Sequence, residues 1–133
     1  MTWRNKSCQC DYDILMYGGF CHPCLFGENT KSVIKHPSCV SHAFAYTALA
    51  LSSNWVGAMV GNIIVPGSDC AIATCSSLCT GCLIGTYGGE MRTKLRHKYG
   101  IEGNPNQDML IHFFCSPCAI CQEAQEIRIR ENE

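Results

Sequence analysis

AFAYTALALSSNWVGAMVGNIIVP, running from Ala43 to Pro66, is the stretch on which the fold turns. It carries no charged side chain, and between Lys35 and Glu90 the only one is Asp69. A soluble domain spreads its charges along the chain, because each surface helix needs a wet face; this middle third lacks one. About twenty apolar residues span the hydrocarbon of a bilayer, so the stretch is long enough to cross. Asn54, Asn62 and the pair Ser52-Ser53 weaken it. Each Leu, Ile, Phe or Val contributes only about −0.3 to −0.6 kcal/mol to insertion, which leaves the total near zero. The segment that follows, Cys70 to Gly89, is uncharged too, but Ser76, Ser77, Thr80 and its cysteines make it a weaker membrane candidate.

Packing motifs add to this. Gly57 and Gly61 form a GxxxG in the first segment, and Gly81, Gly85 and Gly89 form two overlapping ones in the second. Small residues four apart let neighbouring helix backbones approach closely, the means by which helices associate in lipid. Joined by the turn Pro66-Gly67, the two segments predict a helical hairpin over residues 39–89, with both of its ends on one side. The cations Lys31, Lys35, Arg92, Lys94, Arg96 and Lys98 place that side in the cytosol or matrix. The alternative is a hairpin buried in a soluble fold or against partner subunits.

The remaining sequence divides into a cysteine-bearing, irregular segment over residues 1–38 and a polar segment over 90–133, in one domain of 133 residues. Gly18-Gly19 and Gly27 read as turns. Glu90 to Tyr99 reads as a helix with Met91, Leu95 and Tyr99 on one face and cations on the other, stopped by Gly100. Gly103-Asn104-Pro105 is a turn, after which Asn106 or Asp108 caps a last helix. The expected fold class is mainly α: a small cysteine-rich domain formed by both chain ends around a central apolar hairpin, stabilised by metal. With a net charge of −1 there is no field that points to nucleic acid.

Twelve cysteines make the chain a cysteine scaffold. Disulfides in oxidising compartments and metal thiolates in reducing ones both give such a count. Residues Met1 to Asp13 show no apolar h-region of a secretory signal, which favours thiolate; the even count still permits disulfides. Cys21-His-Pro-Cys24 and Cys115-Ser-Pro-Cys118 are C-x-x-C pairs, each with proline before the second cysteine. Two such pairs complete a tetrahedral thiolate site, for which zinc is the favoured ion; an iron–sulfur cluster uses the same ligands. The candidate metal ligands are Cys21, Cys24, Cys115 and Cys118, about ninety residues apart in sequence, and the hairpin would bring them together. Cys118 and Cys121 make a third, overlapping pair, Cys8 and Cys10 a fourth with one spacer, and His112 is a possible further ligand. The rival reading is a redox dithiol, which needs a strand before the motif and a helix-capped cysteine. Cys75, Cys79 and Cys82 share one helix face, as small core hydrophobes or as a soft-metal path. No catalytic triad, carboxylate pair or phosphate loop is present, and no small-molecule substrate is indicated.

These motifs resemble the placenta-specific-eight family, which includes plant cadmium resistance and cell number regulator proteins and cornifelin. The matching stretches are Trp3 with Cys8 and Cys10, FCHPCLFGEN at Phe20 to Asn29, MRTKLRHKYGIEG at Met91 to Gly103, and HFFCSPCAICQEAQEI at His112 to Ile127. The resemblance implies a membrane-associated protein that is not an enzyme, tied to zinc or cadmium tolerance and cell-number control and to self-association. The family often has a second cysteine where Phe114 precedes Cys115, and a cysteine-rich run at Leu15 to Gly19. The expectation is therefore a non-catalytic membrane protein with one structural zinc, its partners being lipid and membrane subunits, either copies of itself or a hetero-complex. An accessory subunit of a membrane complex and a thiol redox protein are the alternatives.

Overall fold

The computed structural model of the chain describes residues 3, 12–14, 16, 21–34 and 39–132. Four helices account for most of them: α1 His22–Val33, α2 Cys39–Ile64, α3 Asp69–Tyr99 and α4 Pro105–Glu131. Tyr12 to Ile14 are helical as well, and no strand occurs among the described residues.

The expected hairpin is α2 and α3. Proline disfavours helical backbone in the residue before it, so α2 ends ahead of Pro66; Gly67 turns the chain with φ +76°, a left-handed conformation open to glycine. Ser68 then starts α3, its hydroxyl accepting from the Ala71 N–H, and Asp69 adds negative charge to the first turn, where the helix dipole favours it. The two helices run antiparallel, with Gly57 against the backbone of Ser76 and Gly61 against that of Ile72. A β-carbon on Gly61 would lie 2.6 Å from the Ile72 Cα. The first GxxxG therefore closes the hairpin. The second does something else: Gly81 and Gly85 face Phe113, and Gly89 faces Met109, so it seats α4 on the opposite side of α3.

Three further expectations change. The segment expected to be irregular before residue 38 contains α1, and Gly27 is a point of helix contact, against the Cys39 carbonyl and Ala43, rather than a turn; Gly18-Gly19 lies outside the described residues. Glu90–Tyr99 is not a separate helix but the end of the 31-residue α3. Close packing of Gly88 on His112 and Gly89 on Met109 keeps these glycines helical. Asn104, not Asn106 or Asp108, caps α4, its side chain accepting from the Asn106 N–H at 3.0 Å, because Pro105 occupies the first helical position. The stop at Gly100 is as expected: φ +62°, its N–H bonded back to Arg96 and His97.

α4 is bent back on itself. His112 and Glu123 are 2.8 Å apart, whereas eleven residues of straight helix would separate them by roughly 16 Å. The reversal is at Cys115, which leaves helical geometry (φ −147°, ψ 73°) just before Pro117.

The core and the hairpin are built on opposite plans. At the end formed by α1, α4 and the C-terminal half of α3, large side chains are inside: Phe26 and Ile120 are wholly buried, with Leu25, Leu95 and Ile127 close behind. In α2 the buried residues are Tyr46, Ser53, Gly57 and Gly61, while Phe44, Trp55, Met59 and Ile63 are 66–79% exposed.

Candidate thiol site

The two C-x-P-C motifs fold the same way. Cys21 is the residue before α1, with φ −133° and ψ 64° and proline in the first turn; Cys115 holds the equivalent place before Pro117, with φ −147° and ψ 73°. In each, the second cysteine falls on the third residue of the helix that follows, one turn beyond the first. The Cα atoms are 5.3 Å and 5.4 Å apart, and Cys21–Cys24 and Cys115–Cys118 are disulfides. Proline serves here because its fixed φ suits the first turn and the N–H it lacks has no partner there.

Tyr46 of α2 lies between the two motifs. Its ring stands 5.7 Å from His22 and 4.7 Å from Phe26, and its hydroxyl is 2.8 Å from the Ser116 hydroxyl. Asn29 of α1 donates to the Ile120 carbonyl at 2.9 Å, fixing α1 to the returning half of α4. α1 and the returning half of α4 thus meet, with a tyrosine of α2 between the two motifs. Both border one cleft of about 540 Å³, lined by His22, Tyr46, His112, Ser116 and the hairpin residues Ser76 and Thr80.

Behind the cleft is a buried ionic cluster that the sequence reading missed. Arg92 contacts Asp108 and Glu123, each at 3.3 Å, and donates to Gln122 at 2.7 Å. Arg96 donates to Asp108 at 2.7 Å and to the Ile101 carbonyl. His112 bonds Glu123 through Nε2 and faces Ser116 through Nδ1. Trp3 stacks on Arg92 at 4.0 Å. Arg92, Arg96, Asp108, His112 and Glu123 are each 1–3% exposed. Arg92 and Arg96 are therefore not on a solvated cationic face; of that cluster only Lys94 and Lys98 point outward. The signal was present: Glu123 and Glu126 fall on the same helical stripe as Ile120 and Ile127, where a solvated carboxylate has no place.

His112, considered as a ligand beside Cys115, is engaged by Glu123. Cys121 is buried and free, so the Cys118–Cys121 pair is not formed; Cys8 and Cys10 lie outside the described residues. Cys75 and Cys79 are half-buried and Cys82 is exposed; the last two line a groove with Val56, Leu78 and Leu83 and do not gather into a site. As for the expected zinc centre, the donors have the right chemistry and spacing, but in this structure all four sulfurs are committed to S–S bonds. Among the described residues no group of three or more His, Cys, Asp and Glu side chains is placed to hold a metal ion. The four-thiolate site on Cys21, Cys24, Cys115 and Cys118 is not confirmed. One described helix, α3, is long and apolar enough to cross a membrane. This reverses the expected ranking of the two hairpin segments, because its cysteines count as small hydrophobes.

Comparison with known proteins identifies the family of the chain. The model of the PLAC8 family matches residues 3–126. A plant cadmium resistance protein of Arabidopsis thaliana (number 10) is 35% identical over 130 residues, covering 95% of this chain and 61% of its own length. Cell number regulator 5 of Zea mays is 33% identical over 96% of this chain and 64% of its own. Cornifelin of Bos taurus is 36% identical over 75 residues, 47% of this chain and 68% of its own. The chain thus spans somewhat under two thirds of the two plant relatives. No solved structure matches it.

Proposed function

The chain belongs to the PLAC8 family, and on that premise we propose that it is a non-catalytic membrane protein whose α2–α3 hairpin sits in the bilayer. Its cysteine-bearing ends lie together on the cytosolic or matrix side, and it serves in heavy-metal tolerance or cell-number control of the kind for which its relatives are named. The observation that carries this reading is the inverted hairpin. Its seam is glycine and serine, bonded across by Ser53 to Thr80 and by Ser76 to the Asn54 carbonyl, and its large apolar side chains point away from the protein. Helices pack so when the solvent outside is itself apolar. The sidedness is supported by Lys31, Lys94 and Lys98, exposed at the closed-core end, while the tip carries only Asp69.

Trp3 and Trp55 are the two tryptophans, so Trp3→Phe isolates Trp55, which is 74% exposed on α2. In vesicles of bromine-labelled lipid its fluorescence falls if the hairpin is inserted. Quenching by aqueous iodide instead would remove the membrane reading. Shielding from both quenchers would favour the accessory-subunit reading, in which the hairpin is covered by other chains.

In the same proposal Cys21, Cys24, Cys115 and Cys118 hold a structural zinc when reduced, an all-sulfur donor set that suits this ion. One zinc per chain in reduced, purified protein supports it; a metal-free, folded, reduced chain removes it.

A further inference from the structure

The two C-x-P-C motifs share more than spacing. They have the same backbone geometry at the first cysteine, the same proline in the first turn, and the same closed pair. Cys39, Cys70, Cys75, Cys79, Cys82 and Cys121 are free, though Cys70 and Cys82 are more exposed than any of the paired sulfurs. Pairing therefore follows the turn and not exposure. All four paired cysteines are half-buried rather than sealed in the core, so a small thiol can reach them. The first cysteine of each pair also stands at a helix start, where the helix dipole favours the negative charge that a departing sulfur acquires.

We propose that the two turns are matched, reversible dithiol–disulfide couples that exchange with a low-molecular-weight thiol such as glutathione. In each, a thiolate attacks one sulfur, a mixed disulfide forms, and the other sulfur leaves as a thiolate. A second thiol then attacks the mixed disulfide, releasing the oxidised small molecule and the second protein sulfur. Two electrons and two protons pass to each pair, and two small thiols become one disulfide. The closed state pins the start of α1 and the corner of α4, on which the His112–Glu123 and Arg92–Glu123 contacts depend. The open state presents four thiols around Tyr46. This inference does not rest on the hairpin lying in a membrane; the open state is also the one that would hold the proposed zinc, so the buffers of the test contain EDTA.

The test uses the full chain in detergent micelles, equilibrated with glutathione buffers from fully reduced to fully oxidised, acid-quenched, tagged with a maleimide and mapped by peptide mass. Cys21 with Cys24, and Cys115 with Cys118, are expected to gain and lose tags in twos across the series, while Cys39, Cys75 and Cys121 stay tagged throughout. Each pair is measured again with the other replaced by serine, and circular dichroism reports folding. If the second pair fails to fold in isolation, the first, in Cys115→Ser/Cys118→Ser, still decides the matter. Pairs that remain thiols in oxidised buffer, remain closed in reduced buffer, or pair across motifs overturn the proposal.

Discussion

Arg92 shows most plainly how a single side chain acquires its role from its surroundings. Its guanidinium holds Asp108 and Glu123, carboxylates fifteen residues apart on the two halves of α4, and is itself covered by the Trp3 ring. Arg92→Met leaves both carboxylates buried without their shared cation, a loss of about 3–5 kcal/mol. Thermal unfolding in micelles should show a large drop. Arg92→Lys, a point charge that lacks the planar fork, should recover part of it, and an unchanged melting temperature for the methionine variant would mean the cluster is not structural. Gly61 acts through having no side chain at all. Gly61→Leu forces a β-carbon against the Ile72 backbone and should cost about 1–3 kcal/mol. Unchanged stability would show that α2 and α3 do not pack as described. The glycine spacing was readable in advance; the partner of each glycine was not, since Gly57 and Gly81 carry the same motif but face different helices.

At the scale of elements, local signals were legible where the chemistry is local. The Pro66-Gly67 turn and the Gly100 stop follow from fixed φ preferences, and both stand where the sequence puts them. The cap of α4 shifted by two residues because Pro105 takes the first helical position. Asn104→Ala should therefore lower stability by about 1 kcal/mol and Asn104→Asp by little; Asn106→Ala, which removes no cap, should be nearly silent. The reversal inside α4 was not legible. A proline two residues after a cysteine is compatible with a helix start or a kink, and the choice falls to the pairing of His112 and Arg92 with Glu123. α1 was missed for a related reason. Its apolar face is short, and its glycine looks like a turn until Cys39 is packed against it.

For the whole molecule, the division into a closed, ion-paired end and an inverted hairpin sets the topology to be measured. Cys70 is exposed at the hairpin tip, the far end from Lys94 and Lys98. If the hairpin spans, a membrane-impermeant maleimide applied to intact cells should label it, and Cys70→Ser should abolish that label. Labelling only after the plasma membrane is opened would exclude a hairpin that spans the plasma membrane. The outward apolar face is 26 residues of α2 and the first half of α3, enough for about 30 Å of hydrocarbon at 1.5 Å per residue.

What the sequence determined by itself was the helical hairpin, its turn and its charge-free character, because each follows from composition or short-range backbone preference. Only the tertiary structure decided that Arg92, Arg96, Asp108 and Glu123 are inside, that the two glycine motifs serve different neighbours, and that the paired sulfurs close within each turn instead of across the molecule. Those outcomes depend on which faces meet after the chain has folded back. A residue's charge or spacing does not specify its neighbour until distant segments have competed for the same buried space.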